Sequence, residues 1–160
     1  MKHLALILSI PLLLVTHAKA APVIFIVRHA EKAPTGGDDP ELSAAGQKRA
    51  EALARILKDS QISAVFITEF KRTQETAAPI AKAAHLDPAV VPGNDVPALV
   101  AKLREVNGHA LVVGHTNTIP DLMKALGITT SIDIPEDDYT EILMVSLGDP
   151  PQLLRLHYPF

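Results

Sequence analysis

The segment VIFIVRHAEK, residues 23–32, determines the fold class because it joins a buried strand directly to charged residues. Val23 to Val27 is a continuous apolar run rich in β-branched side chains, which is typical of a strand covered on both faces of a sheet. Two later runs, Ala64 to Ile67 and Ala110 to Val113, have the same character. The three runs therefore predict the central strands of one buried sheet.

Helical periodicity separates these strands. Four segments carry apolar residues at helical spacing. Ser43 is placed to cap the first helix, Thr118 and Asp121 have capping-box spacing at the fourth, and Gly127 would end the fourth. Pro79 lies inside the second and predicts a kink or a late start. The apolar positions are Ala50, Leu53, Ile56 and Leu57; Ala77, Ile80, Ala81 and Ala84; Leu99, Val100, Leu103 and Val106; and Ile119, Leu122, Met123 and Leu126.

This alternation of strands and helices predicts an α/β fold. We expect a three-layer sandwich, with a mainly parallel central sheet and helices on both faces. Two segments near the end, Thr140 to Ser146 and Leu153 to His157, predict further strands that could add an antiparallel edge. The chain has 160 residues, which suits a single domain, and we predict that this domain spans residues 21–160.

The first twenty residues have the pattern of a secretory signal peptide. Lys2 opens the chain, an apolar run extends from Leu4 to Val15, and Ala18-Lys19-Ala20 provides an Ala-x-Ala cleavage site. The run is short for a bilayer span, so an uncleaved anchor or a buried helix is the weaker alternative. Cleavage after Ala20 predicts a periplasmic or secreted protein that keeps no stable membrane anchor.

The composition excludes several kinds of site. The chain contains no cysteine, which rules out a thiolate nucleophile, a disulfide and a cysteine-based zinc site. The formal net charge is -3, and no basic stripe of the kind that binds nucleic acid is present. We therefore expect no nucleic-acid partner.

Polar side chains follow the predicted central strands. Arg28 and His29 follow the first, Thr68 and then Arg72 follow the second, and His115 follows the third. Ligands of open α/β sheets bind where the carboxyl ends of strands meet. Arginine binds phosphate oxygens bidentately, and a neutral imidazole can attack phosphorus. Taken alone, Arg72 would be a solvated helix residue and His115 a hydrogen-bonded loop residue, but the joint pattern predicts phosphoryl transfer.

Four segments resemble motifs of the histidine phosphatase superfamily, also called phosphoglycerate mutase-like. Val27 to Glu31 resembles its Arg-His-Gly signature, with Ala30 in the place of the usual glycine. Thr68 to Ala77 is similar to the second motif, and Val113 to Asn117 to the third, Gly-His segment. Leu42 to Gln47 resembles the opening of the first helix. Each motif is weak alone, but four in this order cover nearly the whole chain after residue 20.

The resemblance implies a metal-independent phosphatase that hydrolyses phosphomonoesters through a covalent phosphohistidine. His29 would be the nucleophile, and Arg28 and Arg72 would clamp the phosphate. His115 would be the second catalytic histidine, contacting the phosphoryl oxygens. The resemblance implies no metal and no organic cofactor.

The proton donor for the leaving group has two candidates. Asp95 is the best positional match, although it stands equally well to cap a helix that begins at Val96. Glu31, next to the nucleophile, is the rival. If neither serves, the substrate would need a good leaving group, as a phosphohistidine or an anhydride has.

Other readings of the same residues remain open. A protein phosphohistidine phosphatase fits the short chain, although export argues against it, and a non-catalytic phosphate-binding module would not need a nucleophile. A metal site built from His29, Glu31 and His115 would lie beside two repelling arginines. The substrate would be a phosphorylated small molecule or an envelope component. An acidic loop is formed by Asp133, Glu136, Asp137 and Asp138, and we expect it to be solvated; the alternative is that it lines the entrance to the site and selects substrates.

Overall fold

The computed structural model describes residues 21–159, so the predicted signal peptide lies outside the described residues. None of the described helices is both long enough and apolar enough to cross a bilayer. Strands and helices alternate as the sequence predicts. The elements are β1 (Val23–Arg28), α1 (Ala44–Ile56), β2 (Ile62–Ile67), α2 (Lys71–Ala84), β3 (Ala89–Val90), α3 (Val96–Glu105), β4 (His109–Gly114), α4 (Ile119–Ala125), β5 (Glu141–Ser146) and β6 (Gln152–His157).

The described strands form one mixed sheet in the order β3-β2-β4-β1-β5-β6. β1, β2, β3 and β4 are parallel, whereas β5 is antiparallel to both β1 and β6. The predicted α/β class, with a mainly parallel sheet and an antiparallel edge, is confirmed. Because β1, β2 and β4 point the same way, the segments that follow them emerge at the same edge of the sheet.

The side chains of β1 alternate between two apolar layers, which confirms that both faces of the sheet are covered. Ile24 and Ile26 belong to the layer that contains Leu103 of α3, and Phe25 belongs to the layer that contains Leu53 of α1. Ile24, Ile26, Leu103 and Leu53 are each 0% exposed. Truncating such a residue to alanine typically costs about 2–5 kcal/mol, so the strand that carries the site is firmly held.

Three local features differ from the sequence prediction. α2 extends from Lys71 to Ala84 through Pro79, so the late start is wrong; proline removes one N–H donor, and the buried face of the helix outweighs that loss. Thr118 forms no capping box, because its hydroxyl oxygen lies 3.3 Å from both the backbone nitrogen and the backbone oxygen of His115. β3 (Ala89–Val90) has only two residues, too few to produce a periodic pattern.

The first turn of α1 packs directly against the backbone that follows β1. A Cβ placed on Gly46 would lie 2.3 Å from the carbonyl oxygen of Glu31. The same oxygen accepts a hydrogen bond from the backbone N–H of Ser43 at 2.8 Å. Glycine is therefore required at position 46 by a close approach of two backbone segments, one of which leads away from His29.

Gly46→Ala should lower the free energy of unfolding by roughly 2–3 kcal/mol, because the Glu31 backbone must shift to admit the methyl group. An unhindered helical glycine would behave oppositely, since alanine there stabilises by up to about 1 kcal/mol. Urea unfolding measures the difference. Gly148→Ala is the matched control, because its added Cβ would meet only an ordinary contact at 3.5 Å. A Gly46→Ala protein more stable than wild type would contradict the packing described.

Candidate active site

The pairing of β1 with β4 brings the two predicted histidines side by side. Arg28 and Gly114, the last residues of the two strands, are direct partners in the parallel ladder. The next residue, His29, donates its backbone N–H to the oxygen of Gly114 at 3.0 Å. The rings of His29 and His115 lie 5.4 Å apart between centroids. Together with Arg72 they line an open cavity of about 540 Å³.

His29 is buried and presents a defined tautomer. Its Nδ1 lies 2.8 Å from the carbonyl oxygen of Ala30. A carbonyl oxygen only accepts, so Nδ1 carries the proton and Nε2 keeps its lone pair. The pKa of His29 is lowered to about 4, mainly because the ring is buried. The hydrogen bond to Ala30 raises the pKa, whereas the charges of His115, Arg28 and Arg72 lower it. The imidazole is therefore neutral at pH 7, as a nucleophile must be.

His115 is held by a chain of hydroxyl groups. Its Nε2 lies 3.0 Å from Oγ1 of Thr68, which in turn lies 3.0 Å from Oγ1 of Thr73. Thr73 donates its hydroxyl to the carbonyl oxygen of Phe70 at 2.8 Å, so Thr68 donates to Thr73 and accepts from Nε2–H of His115. Burial, and then the charge of Arg72, lower the pKa of His115 to about 4, so this ring is also neutral at pH 7.

Arg28 is anchored to the loop that precedes β5. Its Nη1 donates to the backbone oxygens of Pro135, Glu136 and Asp138 at 3.0, 2.7 and 3.3 Å. Its Nη2 donates to the Glu136 carboxylate at 3.2 Å, and the guanidinium lies 4.3 Å from the centre of the Tyr139 ring. These contacts fix the plane of the guanidinium without using all of its donors.

Both arginines keep a buried donor that has no acceptor among residues 21–159. The Nε atoms of Arg28 and Arg72 are buried without a hydrogen-bond partner in this part of the chain. Arg72 stacks on the ring of Phe70 at 4.2 Å, and its Nη1 lies 3.9 Å from the carboxylate of Asp39. An unsatisfied buried donor costs about 1–3 kcal/mol, more when it is charged. An anion with several oxygen acceptors would satisfy both groups at once.

Neither carboxylate proposed as proton donor lines this cavity. Both oxygens of Glu31 accept from Arg49, at 2.7 to 2.9 Å, in a bidentate pair. Asp95 caps α3, because its Oδ1 accepts from the backbone N–H of Ala98 at 3.0 Å. It also lines a separate, mainly apolar cavity with residues such as Leu99. The structure thus places Arg28, His29, Arg72 and His115 together and leaves both candidate acids outside.

The alternative metal site is not formed either. Glu31 is paired with Arg49 instead of lying with His29 and His115. Within residues 21–159, no group of three or more histidine, aspartate or glutamate side chains is arranged to hold a metal ion.

Two carboxylates line the cavity: Glu69, which was not predicted as a site residue, and Glu136, which was predicted only as part of the acidic loop. Glu69 follows Thr68 in the second motif, and its Oε2 accepts from the backbone N–H of Gly93 at 2.9 Å. Glu136 belongs to the acidic loop that we expected to be solvated; its side chain is exposed, as expected, and it also lines the cavity, as the alternative predicted. The position of Glu69 within the second motif was a signal in the sequence that could have identified it. No signal in the sequence connects Glu136 with Arg28, because only the fold brings them together.

Comparison with known families matches residues 24–93 to the Histidine phosphatase superfamily (branch 1). The matched segment contains Arg28, His29 and Arg72 and ends before His115. Comparison with curated protein sequences finds no significant match.

Several solved structures share the fold. The protein histidine phosphatase SixA, complexed with tungstate, is 21% identical with a TM-score of 0.68, over 84% of this chain and 96% of that chain. A mycobacterial glucosyl-3-phosphoglycerate phosphatase is 16% identical with a TM-score of 0.65, over 86% and 98%. A putative alpha-ribazole-5'-P phosphatase from Escherichia coli str. K-12 substr. MG1655 is 18% identical with a TM-score of 0.67, over 86% and 97%. Because these sequence identities are all below 25%, the structural similarity shows a shared fold and nothing about substrates.

The histidines predict a specific loss of stability in acid. The pKa of each falls from 6.5 to about 4 on folding. Between these values the unfolded chain binds protons that the folded chain does not, so the free energy of unfolding falls as pH is lowered from 6.5 to 4. Each histidine contributes up to about 1.4 kcal/mol per pH unit in this window.

Urea unfolding between pH 4 and pH 7 tests this. His29→Gln should show a shallower decline than wild type, because one of the two groups is gone. Carboxylates titrate in both proteins, so the difference between the two curves isolates His29. Parallel curves would contradict the burial of a neutral imidazole at position 29.

Proposed function

We propose that this chain is a phosphatase of the histidine phosphatase superfamily (branch 1) and that it hydrolyses phosphomonoesters through a phosphohistidine on His29. In the first step, Nε2 of His29 forms a bond to phosphorus while the bond between phosphorus and the leaving oxygen breaks, and that oxygen takes up a proton from the solvent. In the second step, a water oxygen attacks phosphorus, the phosphorus–nitrogen bond breaks, and the water returns one proton to the solvent. Inorganic phosphate leaves, and His29 returns to its neutral form.

The observation that carries the proposal is the combination of donors and nucleophile in one cavity. A neutral imidazole with a free Nε2 lone pair stands beside two arginines whose buried Nε–H groups lack acceptors in the described chain. Phosphate oxygens supply those acceptors while phosphorus faces the imidazole. The site thus provides the positioning and the charge stabilisation on which phosphoryl transfer depends.

Each residue has a separate role in this proposal. Arg28 and Arg72 bind the phosphoryl oxygens and offset the charge that develops on them. Nε2–H of His115, which now donates to Thr68 at 3.0 Å, is the donor that we assign to a phosphoryl oxygen. The Nδ1–H bond of His29 to Ala30 keeps the attacking nitrogen in place and favours the positive charge of the phosphohistidine intermediate.

The leaving group is the less specified part of the reaction. Asp95 is engaged at the cap of α3, so its role as proton donor stays a prediction. Glu31 is held by Arg49. With both acids outside the cavity, esters of acidic alcohols, such as aryl phosphates, should be turned over faster than alkyl phosphates.

A second candidate function is the removal of phosphate from phosphohistidine in proteins. The position of both candidate acids outside the cavity favours it. A phosphohistidine needs no strong acid in the site, because its leaving group is an imidazole that is already protonated. The open cavity would also admit a side chain carried on a protein surface. A higher kcat/KM for a phosphohistidine peptide than for aryl phosphates would favour this candidate, and the reverse order would favour the phosphomonoesterase. Binding of phosphate without hydrolysis of either would favour a non-catalytic module.

The location proposed is the periplasm or the exterior of the cell. It rests on the basic start, the short apolar run and the Ala-x-Ala site of residues 1–20. An exported phosphatase would act on phosphorylated small molecules or on an envelope component that it meets there.

His29→Asn should reduce the hydrolysis of p-nitrophenyl phosphate by at least about 1000-fold, because the nucleophile is lost while the backbone N–H that bonds Gly114 remains. His85→Asn is the matched control. His85 is exposed at the end of α2 with φ +55°, a conformation that asparagine also adopts readily. The control should keep wild-type kcat and KM. Turnover by His29→Asn close to that of the control would refute the assignment of the nucleophile.

Export predicts that the mature protein begins at Ala21. Amino-terminal sequencing of protein recovered from the periplasm or the medium tests this directly. Protein that is recovered only from the cytoplasm, with Met1 intact, would contradict the proposed location.

A further inference from the structure

We infer that Glu136 is a specificity-determining residue, which disfavours phosphomonoesters with a second anionic group beside the phosphoryl group and favours those whose leaving group carries a cation. The inference rests on the proposed function of the same site. It concerns which ester is chosen and leaves the reaction at His29 unchanged.

The N–H groups of Arg28 that are already hydrogen-bonded indicate where Glu136 would lie relative to a bound phosphate. A guanidinium has five N–H donors. Nη1 is used by three backbone oxygens of the loop, and Nη2 donates to Oε2 of Glu136 at 3.2 Å. Nε, which has no acceptor among residues 21–159, and the second hydrogen of Nη2 remain for phosphate. A phosphate bound to these donors would therefore share Nη2 of Arg28 with the Glu136 carboxylate and would lie close to it.

The backbone that carries the Glu136 side chain is held beside Arg28. The carbonyl oxygen of Glu136 accepts from Nη1 of Arg28 at 2.7 Å. The carbonyl oxygen of Asp138 accepts from the same nitrogen, and the Asp138 carboxylate accepts from the backbone N–H and the hydroxyl of Thr140 at 2.7 Å each. Because the loop backbone is fixed at two points, the attachment point of the Glu136 side chain stays at the cavity, which the residue lines in the described conformation.

The net charge of the residues that line the cavity is small, so the charge of Glu136 affects which leaving groups are accepted. Three cations, Arg28, Lys32 and Arg72, and two anions, Glu69 and Glu136, line the described cavity, and its two histidines are neutral at pH 7. A phosphoryl dianion already exceeds the single net positive charge. A further anionic group on the leaving alcohol would meet Glu136, whereas an ammonium group would be attracted to it.

The exposure of the Glu136 side chain limits how strongly its charge can change the rate constant for a charged ester. The Glu136 side chain is 86% exposed, so water and salt screen its charge. Two charges several ångströms apart at a wet surface change a rate constant by about 3- to 10-fold. The effect should therefore be measured in low-salt buffer and should weaken as salt is added.

Three aryl phosphates of similar size test the inference: phenyl phosphate carrying at the meta position a carboxylate, a methyl or an aminomethyl group. Glu136→Gln should raise kcat/KM for the carboxylate ester by about 3- to 10-fold relative to the methyl ester, and lower that for the aminomethyl ester by a similar factor. Comparing each ester between wild type and variant removes the intrinsic differences between the leaving groups.

Asp137→Asn is the matched control, because it removes the same charge from an exposed neighbour in the same loop. It should shift the three esters relative to one another by less than about twofold. Equal changes for all three esters in Glu136→Gln, or the same pattern in Asp137→Asn, would overturn the inference while leaving the phosphatase assignment intact. Failure of the wild-type protein to hydrolyse any of the three would instead overturn the proposed function, and the inference with it.

Discussion

The parallel ladder between β1 and β4 positions the site. It aligns Arg28 with Gly114, so that the residues that follow, His29 and His115, leave the sheet next to each other. The hydrogen bond from the backbone of His29 to the oxygen of Gly114 extends the ladder by one residue into the site. Both strands are buried between two apolar layers, so a shift of register would displace the core as well as the histidines. The position of His29 is thus coupled to the stability of the sheet and its core.

The electrostatics of the site follow from this burial. Two imidazoles that are taken out of water next to two arginines are neutral at pH 7, and each has its proton directed by a hydrogen bond. Arg28 is held by backbone oxygens and by the Tyr139 ring, and Arg72 by the Phe70 ring; the Nε donor of each has no acceptor in the described chain. A cationic cavity with an uncharged nucleophile is suited to attack on an anionic phosphoryl group. Arg28 also fixes the loop that carries Glu136, in addition to the phosphate-binding role proposed for it.

Much of this could be predicted from the sequence, because the strands are continuous apolar runs and the charged residues follow them at once. Arg28, His29, Arg72 and His115 were identified in this way, and they do line one cavity. The acid candidates could not be placed. Whether Asp95 faces the cavity or caps α3 depends on the turn before that helix, and the pairing of Glu31 with Arg49 joins residues 18 positions apart. The contact between Arg28 and Glu136 spans 108 positions and follows only from the folded chain.

The most direct test of the account is a search for the covalent intermediate. The protein is mixed with a labelled aryl phosphate, quenched in base, digested and mapped by mass spectrometry. The account predicts a phosphoryl group on His29 that survives base and is lost in acid, as expected of a phosphorus–nitrogen bond. Steady hydrolysis with no adduct on His29, or an adduct on another residue, would contradict it.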